Sequence, residues 1–245
     1  MTKKLFFEAM LKYFSGVVLL GLLLFLPAGT LSYWNAWLLM GILFIPMLLA
    51  GILMMFKNPD LLRKRLNAKE EEGEQRLVII LSGLMFVLGF VIAGLSFRYQ
   101  WLMLPNWASW VATVAFLLSY VLIGEVLREN TYLSRTIEVQ ENQTVIDTGL
   151  YGIVRHPMYS VTIVLFLSMP LVLGSLLSFA VFLTYPAIIA KRIRNEEEVL
   201  ERELDGYTAY KKKVRYKVIP LSMVTFESIR KGTMAYEQMS LVPDK

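Results

Sequence analysis

The composition of this 245-residue chain is too apolar for an ordinary soluble domain, because 56% of its residues are hydrophobic, 18% are charged and its mean hydropathy is +0.53. It has no cysteine and a single histidine, His156, which excludes a disulfide framework, thiolate chemistry and metal sites built from histidine or cysteine clusters. The net charge of +5 is better explained by basic residues near anionic lipid than by nucleic-acid binding.

Four stretches are long and apolar enough to cross about 30 Å of hydrocarbon as helices. They run from Phe14 to Ser32, Ala36 to Phe56, Leu77 to Phe97 and Trp107 to Leu127. The first stretch follows two lysines, as a signal peptide would. It is too long and lacks a small-residue cleavage site, so it is predicted to be a membrane helix.

The orientation of these helices follows from the basic residues of the loops. Such residues are concentrated between the second and third stretches, whereas the first loop has no charge and the third has only Arg98. By the positive-inside rule, the N-terminus, the second loop and everything after the fourth helix are predicted to be cytosolic. This predicts a multi-pass protein, which we expect in the cytoplasmic membrane.

A polar segment from Glu125 to Tyr151 follows the fourth helix. Within it, residues 135–139 and 144–146 have the pattern of two short strands. The next apolar block, residues 160–190, is interrupted by Pro170 and Gly174, which predicts a helical hairpin with arms of about 14 residues. An amphipathic helix is predicted from Lys191 onward.

The predicted fold class is therefore an all-α integral membrane protein with four transmembrane helices, a C-terminal helical hairpin and a small cytosolic cap. Residues 1–127 form the N-terminal transmembrane helices, residues 128–220 form a functional region that includes the hairpin, and residues 221–245 form a tail without a readable signal. The oligomeric state is not indicated.

The densest polar motif, residues 149–159 (GLYGIVRHPMY), lies at the predicted cytosolic mouth of the hairpin. Proline is favoured at the first position of a helix, so His156 is predicted to be the N-cap and Pro157 the first helical residue. The amides behind Pro157 and the helix dipole would then face a negative group, such as the carboxylate of an amino-acid-like cofactor. An equally ordinary interpretation is a topological anchor at Arg155 with interfacial tyrosines around it.

A second polar cluster follows the hairpin, where Arg192 and Glu196 are four residues apart, as are Arg194 and Glu198. This spacing also produces plain surface ion pairs, which is the expected role of Arg194 and Glu198. Arg192 and Glu196 lie closest to the membrane arm, where ionisable groups are more often functional.

In order and spacing, these segments resemble the isoprenylcysteine carboxyl methyltransferase family, in particular its bacterial members, and more distantly the membrane phospholipid N-methyltransferases. The resemblance covers Glu125 to Pro220. It is carried by Val139-Gln140, Val145 to Tyr151, Arg155 to Tyr159, Arg192, Glu196-Glu197, Gly206-Tyr207, Tyr210, Arg215-Tyr216 and Ile219-Pro220.

The resemblance implies a helix bundle whose hairpin and tail enclose S-adenosylmethionine on the cytosolic side, without a metal. It implies that Arg192 holds the carboxylate of a prenylated or other lipid-like substrate. The positions implied as cofactor contacts are Gln140, Val145, Ile146, Gly149, Tyr151, His156, Pro157, Met158, Tyr159, Glu196 and Glu197. The N-terminal helices carry no alignable motif, so the identity of the methyl acceptor stays open.

Three other functions remain to be weighed. Phospholipid N-methylation would require an amine to lose a proton, and a fixed arginine beside that amine would be unhelpful. A sterol-type reductase of related architecture usually carries a cysteine-rich tail that this chain lacks. A transporter would show ionisable residues inside the spans, and residues 14–56 and 77–97 have none, which leaves a non-enzymatic scaffold as the remaining alternative.

Overall fold

Helices account for all the regular secondary structure in the computed structural model, which describes residues 3–66, 73–133 and 139–218. The helices are α1 (Lys3–Ala28), α2 (Trp34–Lys57), α3 (Pro59–Leu66), α4 (Gly73–Tyr99), α5 (Asn106–Glu129), α6 (Pro157–Val172), α7 (Leu176–Phe182), α8 (Tyr185–Glu203) and α9 (Tyr207–Lys213). A short 3-10 turn, Gly149–Gly152, precedes α6. The predicted all-α membrane fold is confirmed.

Five helical stretches in the described residues are long and apolar enough to cross a membrane. Four of them are α1, α2, α4 and α5, which confirms the four predicted spans. The fifth, Leu176–Glu203, consists of α7 and α8, while α6 is a shorter apolar helix of 16 residues. The second arm of the hairpin therefore continues directly into the amphipathic helix, which begins at Tyr185 rather than at Lys191.

The hairpin turns at Gly174, which has a φ of +74°, as the sequence predicts, whereas Pro170 lies inside α6. Side chains from neighbouring helices bind the carbonyl groups that the end of α6 leaves unpaired. The Tyr33 hydroxyl donates to the carbonyl of Leu173 at 2.6 Å, and the Asn35 amide donates to that of Val172 at 2.8 Å. These bonds satisfy buried backbone acceptors and fix the hairpin against the bundle at the end opposite the cap.

The two short strands predicted in the cap are not formed where the structure can be described. Residues 144–146 have no strand partner, and the one isolated bridge in the described residues joins Met103 to Ser175. Residues 135–138 and everything from Ile219 onward lie outside the described residues. Residues 140–147 instead form a loop that begins with a turn at Asn142, where φ is +60°.

Helices α1 and α4 cross at Gly94, and this crossing leaves no room for a side chain. A Cβ atom at residue 94 would lie 2.5 Å from the carbonyl oxygen of Leu24 and 3.0 Å from the Cβ of Pro27. Since the closest atom belongs to the backbone, the helices would have to separate. We expect Gly94→Ala to destabilise the protein by about 1–3 kcal/mol, the usual cost of overpacking, measured as a lower Tm in detergent.

Gly83 on the same helix provides the matched control, because a Cβ there would meet nothing within 4 Å. Alanine is the better helix former, so Gly83→Ala should leave the Tm unchanged or raise it. Equal losses of Tm in both variants would show that the close approach at Gly94 does not matter.

Candidate functional site

A cavity of about 450 Å³ lies at one end of α4, α6 and α8, where these helices meet the cap. The cap consists of the described residues within 130–156 and 204–218. The volume of the cavity is within the range of small-molecule and cofactor sites. Its membrane wall is formed by α4 and the hairpin, and its outer wall by the cap. The lining residues are Val78, Ile79, Ser82 and Phe86 of α4; Met158, Tyr159, Thr162 and Phe166 of α6; Tyr185, Ile189, Arg192, Glu196, Val199 and Leu200 of α8; and Asn130, Tyr132, Leu133, Gln143, Thr144, Val145, Ile146, Tyr151, Arg155, His156, Leu204, Tyr207 and Tyr210.

One face of α8 runs along the whole cavity and changes from apolar to charged. Tyr185, Ile189, Arg192, Glu196 and Val199 follow one another at spacings of four and three residues, which places them on one side of a helix. The apolar members face the membrane-embedded wall, and Arg192 and Glu196 lie between that wall and the cap. The cavity therefore joins an apolar compartment to a polar one.

Arg192 and Glu196 are linked through Tyr159, which projects from α6. Nε of Arg192 donates to the Tyr159 hydroxyl at 2.9 Å, and this hydroxyl donates to Oε2 of Glu196. The three side chains form a connected polar group on the cavity wall, where a guanidinium can also bind a carboxylate. Arg192 and Glu196 are thus part of a built site rather than a plain surface ion pair.

His156 and Glu197 form a second, more deeply buried cluster behind the first. The imidazole Nε2 of His156 is 3.3 Å from Oε1 of Glu197, and its Nδ1 is 3.8 Å from Oε1 of Glu196. Glu197 is 4% exposed and also pairs with Arg155 at 2.8 Å and with Lys217 at 2.9 Å. Glu197 does not line the cavity, so the structure places it as a partner of buried basic groups rather than at the cavity surface.

Arg155 holds the segment that follows α9 against the cavity. Its Nη1 donates to the carbonyls of Val214 and Arg215 at 2.7 and 2.9 Å, and its backbone amide donates to that of Tyr216 at 2.9 Å. His156 continues this pairing through its backbone amide, which donates to Lys217 at 2.9 Å. This pairing ties the strap, residues 214–217, to the segment that precedes α6, about 60 residues earlier in the sequence.

The first turn of α6 confirms the predicted boundary but not the whole predicted anion site. His156 is the N-cap and Pro157 the first residue, as expected, although the His156 side chain makes no capping bond. The amides of Tyr159 and Ser160 both donate to the carbonyl of His156 at 3.1 Å. These two amides are therefore bonded within the turn, and the contact of this helix start with a negative group stays a prediction.

The cap end of the cavity is rich in tyrosine. The Tyr210 hydroxyl donates to the carbonyl of Tyr151 at 2.8 Å, and the Tyr151 hydroxyl accepts from the amide of Asn130 at 3.0 Å. Burial raises the pKa of both Tyr207 and Tyr210 well above the usual tyrosine value. All three side chains are buried, and the hydroxyls of Tyr207 and Tyr210 stay protonated at neutral pH.

Most of the residues predicted from sequence to bind the cofactor, and Arg192, predicted to bind the substrate carboxylate, lie on this cavity. Those in its lining are Val145, Ile146, Tyr151, His156, Met158, Tyr159, Arg192 and Glu196, whereas Gln140, Gly149, Pro157 and Glu197 are outside it. The Gln140 amide donates to the carbonyl of Tyr132 and so shapes the loop. Gly149 has a φ of +49°, and a Cβ there would lie 1.9 Å from the Glu129 carboxylate, so a close turn requires glycine.

The region around the cavity resembles a known protein family. Residues 114–202 match the model of the isoprenylcysteine carboxyl methyltransferase (ICMT) family. This part of the chain, little more than a third of it, is similar to that family. A solved structure of the eukaryotic intramembrane Ras methyltransferase ICMT has a similar fold, with a TM-score of 0.52 and 19% sequence identity over 83% of this chain and 74% of that chain. No curated protein sequence matches the chain.

The ICMT-family match leaves out two walls of the cavity. The α4 residues precede it, and Tyr207 and Tyr210 of α9 follow it. Within the described residues, no group of three or more histidine, cysteine, aspartate or glutamate side chains could hold a metal ion. The ionisable groups in the cavity lining are two guanidiniums, one carboxylate, an imidazole and several tyrosine hydroxyls.

Proposed function

We propose that this protein is an S-adenosylmethionine-dependent membrane methyltransferase that O-methylates the carboxylate of an S-prenylcysteine or a related isoprenoid or lipid acid. The observation that carries the proposal is a single cavity in which the Arg192–Tyr159–Glu196 group separates an apolar, membrane-embedded wall from a polar cap. A charged acceptor joined to a long apolar chain requires that combination.

The polar compartment suits the methyl donor. When bound, S-adenosylmethionine would supply a sulfonium methyl group that a carboxylate oxygen attacks in line, so that the C–O bond forms as the C–S bond breaks and S-adenosylhomocysteine leaves as a neutral thioether. This end of the cavity offers side chains for a nucleoside and an amino-acid group: the Glu196 carboxylate, the Asn130 amide and a buried Tyr207 hydroxyl without a partner among the described residues. These groups fit the cofactor by hydrogen-bonding chemistry.

Arg192 would hold the acceptor in this mechanism. A carboxylate is ionised at neutral pH, so the site has no proton to remove, and its tasks are alignment and exclusion of water. The guanidinium can bind one carboxylate oxygen and direct the other, while Tyr159 fixes its orientation through the bond to Nε. An amine acceptor would gain nothing from a cation at this position, which favours the carboxylate over a phospholipid amine.

The apolar wall would receive the lipid tail from the bilayer. Ile79 lines the cavity and is also 47% exposed on the outer surface of α4, so the wall at this point coincides with the surface of the bundle. A chain could therefore enter sideways with its carboxylate left at Arg192. The positive-inside distribution of loop charges supports a cytosolic cap, on the side where the methyl donor is made.

Methyl transfer from labelled S-adenosylmethionine tests the proposal, with N-acetyl-S-farnesylcysteine and phosphatidylethanolamine as parallel acceptors in liposomes. Base-labile label on the prenylcysteine is expected, since a methyl ester hydrolyses in base. Glu196→Gln should lower kcat/KM about 10–100-fold, the value of one or two hydrogen bonds to a charged group. Glu198→Gln, an exposed neighbour on α8, should have no effect.

The alternative functions predict different results. Label that appears only on the phospholipid would reassign the protein to N-methylation. Binding of S-adenosylmethionine without transfer to either lipid would contradict the acceptor class, and no binding at all would leave a scaffold as the better assignment.

A further inference from the structure

Tyr207 carries a hydroxyl for which the described residues provide no hydrogen-bond partner. The residue is 4% exposed and lines the cavity, and its hydroxyl oxygen is one of two buried side-chain polar atoms without a hydrogen bond among the residues that the structure describes. The other is Oε2 of Glu129, which does not face the cavity. Buried polar groups are almost always paired, so an unpaired one on a cavity wall indicates a ligand that supplies the partner.

The hydroxyl is held in place and cannot turn to solvent. Tyr207 begins α9 directly after Gly206, whose φ is +83°, and its ring packs against that of Tyr210 with centroids 5.7 Å apart. Leu204 and Val145 close the same small apolar cluster around the two rings. The ring is therefore fixed by packing on the wall of the cavity, and none of the described residues supplies a partner for its hydroxyl.

The two other tyrosines at this end of the cavity show what a satisfied hydroxyl looks like. Tyr210, one turn further along α9, donates to a backbone carbonyl at 2.8 Å, and Tyr151 accepts from Asn130 at 3.0 Å. Tyr207 is as deeply buried, but its hydroxyl has no such bond in the part of the chain that the structure describes. The difference is specific to this position rather than a general feature of the tyrosine-rich cap.

We propose that Tyr207 is a binding residue for the methyl donor, whose nitrogen or oxygen atoms supply the hydrogen-bond partner of its hydroxyl. The inference rests on the proposed use of S-adenosylmethionine and adds a contact from α9, beyond the region matched by the family. Burial raises the pKa of Tyr207, so the group acts as a neutral hydroxyl that can both donate and accept. Arg155 and Glu196 line the same cavity, which favours a polar ligand over an apolar one.

The experiment compares Tyr207→Phe with Tyr210→Phe in the full-length protein in detergent, and measures both S-adenosylhomocysteine binding by calorimetry and the Tm without ligand. Tyr207→Phe should weaken binding about 5–20-fold, the effect of losing one hydrogen bond to a ligand. Its ligand-free Tm should be unchanged or higher, because an unpaired buried hydroxyl is removed. Tyr210→Phe should instead lower the Tm, because the carbonyl of Tyr151 loses its donor.

Binding by Tyr207→Phe within twofold of wild type would overturn the inference, as would a ligand-free Tm that falls as much as in Tyr210→Phe, since the hydroxyl would then serve the protein. If the wild-type protein binds no S-adenosylhomocysteine, the proposed function fails and the inference fails with it. Normal binding by both the wild type and Tyr207→Phe would overturn the inference alone.

Discussion

Replacing Arg192 with lysine is expected to reduce kcat/KM for a prenylcysteine acceptor about 100-fold, although the positive charge is kept. The guanidinium presents parallel N–H donors that match a carboxylate, whereas an ammonium is a point charge without that fork. Lysine would also lose the bond from Nε to the Tyr159 hydroxyl. Two charge-assisted hydrogen bonds at about 1.5 kcal/mol each correspond to a loss of two orders of magnitude.

Kinetic and binding measurements together distinguish a role of Arg192 in binding the acceptor from a role in binding the cofactor. Steady-state kinetics with varied prenylcysteine should show the loss, while the Kd for S-adenosylhomocysteine should stay within about threefold of wild type, since the guanidinium is assigned to the acceptor. Arg194→Lys is the matched control on an exposed face of the same helix and should leave both quantities unchanged. A Kd that rises in parallel with the loss of turnover would assign Arg192 to the cofactor instead, and normal turnover would exclude it from the site.

The elements that bound the site could be predicted because each has a local signal. Long apolar stretches identify the membrane helices, and Pro157 identifies the first residue of α6. The fixed period of a helix also places Arg192 and Glu196 on one face of α8, and the structure places both on the cavity. The cofactor and substrate roles of these residues stay predictions.

Glu196 and Glu197 are adjacent in sequence, but only Glu196 lines the cavity. Neighbouring residues of a helix point about 100° apart, so the side chain after Glu196 turns away from the cavity and toward Arg155. The resemblance to a family names both glutamates together, and helix geometry distinguishes them. The spacing from Tyr185 through Ile189 to Glu196 defines the face of α8 that lines the cavity. This spacing indicates from sequence alone that Glu197 lies off that face.

Contacts between distant parts of the chain could not be predicted. The partners of Arg155 are backbone carbonyls about 60 residues later, and a carbonyl has no sequence signature. The unpaired hydroxyl of Tyr207 is likewise defined by what its neighbours do not provide. The predicted strand at residues 144–146 is absent for a related reason, because a strand needs a partner and the described part of the cap supplies none there.

Replacing Arg155 with leucine is expected to lower the free energy of unfolding by about 3–5 kcal/mol, the usual cost of breaking a buried ion pair from one side. The guanidinium is buried with Glu197, and it also supplies the donors for Val214 and Arg215. Its loss leaves a buried carboxylate with less compensation and two carbonyls without partners. The strap that follows α9 should therefore loosen, which limited proteolysis after residue 213 would detect together with a lower Tm.

A double-mutant cycle distinguishes this cause from a general packing defect. Arg155→Leu combined with Glu197→Leu should be less destabilised than Arg155→Leu alone, because the second substitution removes the carboxylate that the first leaves uncompensated. Arg128→Leu is the matched control, since Arg128 makes a bidentate pair with Glu125 but is 75% exposed, and exposed pairs contribute little. If the double variant loses as much free energy of unfolding as the two single variants together, the buried pair does not hold the strap. If Arg128→Leu lowers the Tm as much as Arg155→Leu does, burial is not the reason that the Arg155–Glu197 pair stabilises the protein.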